Sequence, residues 1–138
     1  MYIIMVNWWG YLNYKIYKYY IRKKDSTAFF TAWLASGGLL SLNLLSLVFA
    51  IDYIVKTEII NVENYLFFGI IFIFFGPVIN YLMIYKGKRY INFFDEFEAN
   101  RNLYKKWDLP INLYIIITGI FLFTILILFD IRNNDYFN

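Results

Sequence analysis

The sequence predicts an all-α integral membrane protein with three transmembrane helices. Three observations predict it. The 138-residue chain is 61% hydrophobic and 24% aromatic, with a mean hydropathy of +0.50. A soluble domain of that length has too little interior for so much apolar mass. Three stretches, about 28–51, 65–85 and 111–129, carry no charge. Each is close to the roughly 20 apolar residues that a helix needs to cross a bilayer. The charges lie in the segments between and around them, so the whole of 1–138 reads as a single membrane domain.

The first segment, MYIIMVNWWGYLNYKIYKYYIRKKD, does not read as a signal peptide, because its basic part is long and no small-residue cleavage site follows. On a helical period Tyr11, Lys15, Lys18 and Arg22 share one face, while Trp9, Leu12, Ile16 and Tyr20 share another, with Trp8 and Tyr19 beside them. That pattern predicts an N-terminal interfacial helix, with aromatics at headgroup level and lysines towards phosphate. It also fits a basic-aromatic surface for a polyanionic ligand.

Asp25, Ser26 and Thr27 are helix-starting residues ahead of the first span. Within that span Ala32, Ser36, Asn43, Leu47 and Ala50 fall on one face, with Ser46 at its edge. An amide in hydrocarbon needs a partner: another helix, another copy of the chain, or water in a pore. Gly37 and Ser41 make a small-xxx-small pair on a different face, suited to close helix approach within the chain or between copies. A short polar connection, 52–64, leads to the second span, where Gly69, Gly76 and Asn80 share a face. Pro77 removes one backbone hydrogen bond there and predicts a kink, either a hinge or an ordinary packing feature. The segment 86–108 keeps a helical period, with a stripe of Tyr90, Phe93, Phe94, Phe97 and Tyr104, and predicts an amphipathic helix over about 88–106. Asp108 is placed to cap the third span, and Pro110 suits its first turn.

Composition excludes several chemistries. The chain has no cysteine and no histidine. Disulfides and thiolate sites are therefore absent, and so are the commonest general base and the usual zinc ligand. Asp95, Glu96 and Glu98 lack the spacing of a metal or catalytic site and read as a solvated face. No cofactor is expected, and a membrane enzyme is disfavoured. Heavy use of Ile, Asn, Lys, Tyr and Phe points to an AT-rich coding sequence, hence a bacterium or its phage.

Charge sets the expected orientation. The first segment and 86–108 together hold 11 basic and five acidic residues; the opposite side holds only Lys56 and Arg132 as bases. By the positive-inside rule this chain sits in a bacterial inner membrane with its N-terminus cytoplasmic and its C-terminus outside.

Three spans cannot enclose a sizeable pore, but a homo-oligomer can, with Ser36, Asn43, Ser46, Gly76, Pro77 and Asn80 at the pore or the interface. On the cytoplasmic side Trp8, Trp9, Tyr11, Lys15, Lys18, Arg22, Lys23, Lys24, Arg101, Lys105 and Lys106 combine cations with aromatic rings. Single-stranded oligonucleotides and anionic membrane lipid both bind such sets. The basic-aromatic start NWWGYLNYKIYKYYIRKK, the three spans and GKRYINFFDEFEANRNLYKKWD resemble the small membrane effectors of bacterial anti-phage defence, most nearly the Hailong type. That resemblance implies an oligomeric ion channel held shut by a short DNA from a partner nucleotidyltransferase. The alternatives are a non-conducting accessory subunit of a membrane complex and a holin-like phage protein, although the polar tail DIRNNDYFN differs from the basic tail usual in holins.

Overall fold

The computed structural model of the chain describes residues 2–55 and 65–134, and every element in them is helical. Helices α1 (Tyr2–Arg22) and α2 (Ala28–Val55) form an antiparallel pair. The reversal between them is a left-handed helix end: Lys24 has φ 60°, Lys24 N–H donates to the Ile21 carbonyl and Asp25 N–H to the Tyr20 carbonyl. Asp25 then caps α2, its carboxylate accepting from the Thr27 N–H at 2.8 Å and from the Thr31 hydroxyl at 2.9 Å. These bonds, the Thr27 N–H first, hold the Asp25 carboxyl below the usual carboxylate range.

The helix of the first span runs slightly beyond the uncharged stretch. Helix α2 continues through Asp52 to Val55, so a carboxylate lies inside it, buried near its end. The rest of the expected connection, with Lys56, Glu58 and Glu63, lies outside the described residues.

Helix α3 (Tyr65–Asn80) contains Pro77 and passes into a π-helical turn, Tyr81–Tyr85. An elbow follows. Gly87 has φ 66° and Lys88 φ 60°, so the chain bends sharply before α4 (Arg89–Ala99). The amphipathic helix expected over 88–106 is broken at Asn100, where φ is −111° and ψ 32°. A short α5 (Arg101–Tyr104) and a 3₁₀ turn (Lys105–Trp107) lead into α6 (Asp108–Asn134). Asp108 itself has helical φ −59° and ψ −46°, so it is not the cap the sequence suggested, and its carboxylate is used elsewhere.

Three helical runs, Ala28–Val55, Leu66–Ala99 and Arg101–Leu128, are long and apolar enough to cross a membrane. Helix α2 packs against both α3 and α6. The outer faces of α3 and α6 are apolar and exposed, as at Phe67, Ile73, Phe74, Ile120 and Phe123, which is the surface a lipid solvent requires. Helix α1 runs back along the first half of α2 and is covered by its neighbours. Leu12 and Asn13 have no exposed surface, and Trp8 and Trp9 line a groove with Leu40 and Leu44. With α4 and the start of α6, α1 forms an aromatic cap on one end of the bundle.

Where α2 and α3 cross, small residues let backbone meet backbone. A Cβ on Gly37 would lie 2.7 Å from the Pro77 nitrogen, and one on Gly76 would lie 2.6 Å from the Ser41 nitrogen. The Gly76 N–H donates to the Ser41 hydroxyl at 3.1 Å. The small-residue pair Gly37 and Ser41 therefore serves packing inside the chain.

Candidate functional site

The most elaborate polar site joins the cap to the broken end of the second span. Asn80 is the last residue of α3, three residues after Pro77 and just before the π turn. Its carbonyl oxygen accepts from the Trp9 indole N–H at 2.8 Å and from the Asn13 amide at 3.2 Å. Its own amide donates to the Asn13 carbonyl oxygen at 3.0 Å and to the Trp33 main-chain carbonyl at 3.0 Å. Asn13 completes its set by donating to the Trp9 carbonyl at 2.9 Å and accepting from the Tyr85 hydroxyl at 3.0 Å. Both amides thus use two donors and two acceptors, their full ordinary capacity. The Trp33 indole donates to the Pro77 carbonyl at 2.8 Å, so α1, α2 and the break in α3 are held by one network. Trp9, Asn13, Tyr85 and Asn80 are all buried.

A second set ties α1 to α4 and α6. Lys15 pairs with the Asp108 carboxylate at 3.0 Å and also donates to the Asp108 main-chain carbonyl and to Asn112. Tyr11 donates to the same carboxylate at 3.1 Å. Lys18 pairs with Glu98 at 2.8 Å, and the Tyr14 hydroxyl donates to Glu98 as well. The Lys18 and Tyr14 bonds hold the Glu98 carboxyl below its ordinary range. Burial, with Asp108 beside it, pushes the Tyr11 hydroxyl up to about 12.

These contacts divide the cations and rings that sequence grouped together. Trp9 and Tyr11 are only 8% and 4% exposed, their rings turned into the cap, and Trp8 is half-buried with its ring edge-on to Tyr114. Lys15 and Lys18 are ion-paired within the chain. Arg22, Lys23, Lys24, Arg101, Lys105 and Lys106 remain exposed. The intramembrane polar residues also find partners inside the chain. The Asn43 amide donates to the Leu39 carbonyl at 2.8 Å and to the Tyr114 hydroxyl at 2.6 Å, and Asn43 accepts from Thr118 at 3.2 Å. The Ser36 hydroxyl donates to the Ala32 carbonyl at 2.8 Å. Ser46 is buried with no hydrogen-bond partner for its hydroxyl. Gly76 and Pro77 are buried against α2.

Sequence reading singled out Asn80 but missed Asn13, Trp33 and Tyr85 as its structural company, and missed Asp108 and Glu98 as the partners of Lys15 and Lys18. The one available signal was an asparagine on the apolar-aromatic side of α1, next to Leu12. Among the described residues, no group of three or more Asp or Glu side chains could hold a metal ion. No protein-family model matches the chain, no curated protein matches its sequence, and no solved structure matches its fold.

Proposed function

We propose that the chain is the channel-forming subunit of a homo-oligomeric membrane effector, controlled through its aromatic cap. The observation that carries this reading is the Asn13–Asn80 connection. It fastens the cap helix to the second span at its proline break and π turn, where a helix bends most readily. A ligand that moves α1 therefore has a direct handle on α3. A conducting path would run between copies, because the interior of one chain is packed and its polar groups are largely paired. The cap would face the cytoplasm, and Arg101, Lys105 and Lys106 would bind the phosphates of a single-stranded oligonucleotide. With Trp9 and Tyr11 buried, phosphate contacts would dominate over base stacking. The resemblance to Hailong-type effectors adds a role in anti-phage defence, with a partner nucleotidyltransferase supplying the strand.

The test is ion flux through liposomes holding the purified protein, with and without a short single-stranded DNA. Flux that the DNA suppresses, with suppression weakened by Lys105→Gln/Lys106→Gln and shifted by Asn13→Leu, is the expected result. A second reading, a non-conducting accessory subunit, is favoured by the internal pairing of Asn43 and Ser36, which leaves no polar stripe for a pore. Cross-linked oligomers that carry no flux under any condition would establish it.

A further inference from the structure

We infer that Arg22, Lys23 and Lys24, together with Lys86, Lys88 and Arg89, form a binding belt for anionic phospholipid headgroups. The two basic triplets are far apart in sequence but are stapled together by aromatic rings. Phe29, in the first turn of α2, lies 5.1 Å from the Tyr85 ring and 4.7 Å from the Tyr90 ring, measured between centroids. Tyr85 and Tyr90 are themselves 5.4 Å apart. The α1–α2 reversal therefore sits beside the α3–α4 elbow. Both are the points where a membrane-spanning helix gives way to the cap, which is headgroup depth.

The charge there is unbalanced. All six cations are exposed, and neither the Lys15–Asp108 nor the Lys18–Glu98 ion pair involves them. Asp25 is the acid in the reversal, and its oxygens are occupied by Thr27 and Thr31. The acids on the α1 side of α4, Asp95 and Glu98, line a groove with Lys18 that reaches the edge of the belt at Ile21 and Tyr90, and Glu98 is ion-paired to Lys18. Two of the cations are held in left-handed backbone geometry, Lys24 and Lys88 both at φ 60°. A β-carbon is costly in that conformation, yet a charged residue occupies both positions. The opposite end of the cap differs. Helix α1 rises about 1.5 Å per residue, which puts Arg22 roughly 16 Å beyond Tyr11. Arg101 and Lys105 lie at that Tyr11 end, in a groove that also holds Asp108. The basic surface is thus two sites. Both lie where a span meets the cap, the Arg101 end at the start of α6, but the Arg101 groove holds the Asp108 carboxylate while the belt holds no ion-paired acid.

The experiment uses the full chain in a neutral detergent, with phosphatidylglycerol or phosphatidylcholine added, and reads the melting midpoint and the lipid retained by native mass spectrometry. The wild type should retain phosphatidylglycerol preferentially and melt higher with it. A cation near an anionic surface is worth about a fivefold preference, so Lys86→Gln/Lys88→Asn/Arg89→Gln should cut the preference by up to about a hundredfold. Asparagine tolerates the left-handed backbone at 88. Arg22→Gln/Lys23→Gln is a second probe that leaves the elbow intact, so a folding defect in the first variant does not decide the matter. Arg101→Gln/Lys105→Gln/Lys106→Gln, whose groove already holds the Asp108 carboxylate, should lower the preference less than either belt variant. The inference is overturned if the wild type shows no preference, if the Arg101 variant loses as much as the belt variants, or if a short single-stranded DNA displaces the lipid from the belt. None of these readouts involves ion flux, so the channel reading stands or falls separately.

Discussion

Asn13 and Asn80 form a head-to-tail amide pair in which no donor or acceptor is left over. A buried polar group stripped of its partner costs about 1–3 kcal/mol, whereas replacing both partners by apolar groups can be nearly neutral. Asn80→Leu strands the Trp9 indole and half of the Asn13 amide, so it should lower stability by roughly that amount. Asn13→Leu/Asn80→Leu should cost less than the sum of the two single changes. Thermal melts of the four proteins in one detergent check this, and strict additivity would mean that the two amides act independently. The importance of Asn80 was visible from its place in an apolar span. Its partner was not, because Asn13 lies 67 residues away and belongs to a helix whose polar residues look like ordinary surface.

At the scale of elements, the α2–α3 crossing and the α1 clasp each make a prediction. Gly37→Ala and Gly76→Ala push a methyl group into opposing backbone, which cannot rotate away. Overpacking of this kind costs typically 1–3 kcal/mol, so both variants should melt lower and lose helix–helix contact. Gly69→Ala and Gly119→Ala face open space and should be neutral or slightly stabilising. The clasp gives stability a pH profile. Glu98 sits below its ordinary value when folded, so its contribution is present above the ordinary carboxylate range and is lost as pH falls through the folded value. Tyr11 is raised to about 12, so the folded state holds that proton while the unfolded chain releases it near 10.0. Stability should therefore be flat between these ranges, fall in acid, and fall again as pH rises from about 10 towards 12. Melts of Glu98→Gln should flatten part of the acid limb, the rest belonging to Asp25 and Asp108, and melts of Tyr11→Phe should flatten part of the alkaline one, the rest belonging to raised tyrosines such as Tyr104. Helix existence was legible here from apolar runs and cap residues. The π turn and the break at Asn100 were not, since neither has a distinct pattern in a helical sequence.

At the scale of the whole molecule, the expected arrangement is a cap in the cytoplasm and a C-terminus outside, from the 11-to-2 division of basic residues. A reporter fused after Asn138 should be active only as an outside marker, and one inserted within 95–102 only as a cytoplasmic marker. The reverse pattern would move the belt and the cap to the outer face.

Composition and local order alone determine three helices long and apolar enough to cross a membrane. Hydrocarbon offers no hydrogen bonds, so each span must satisfy its backbone from residues four positions away, and that demand is written in consecutive residues. Side-chain partnership has no such locality. Lys15 and Lys23 are chemically alike and eight residues apart on the sequence, yet the fold brings Asp108 to one and leaves the other on the surface. Trp9 is aromatic like Tyr19, but the bundle closes over the first and leaves the second 56% exposed. Which cations are spent on structure, which rings face inward and which asparagines meet depend on distances between helices, and those distances exist only once the chain has folded.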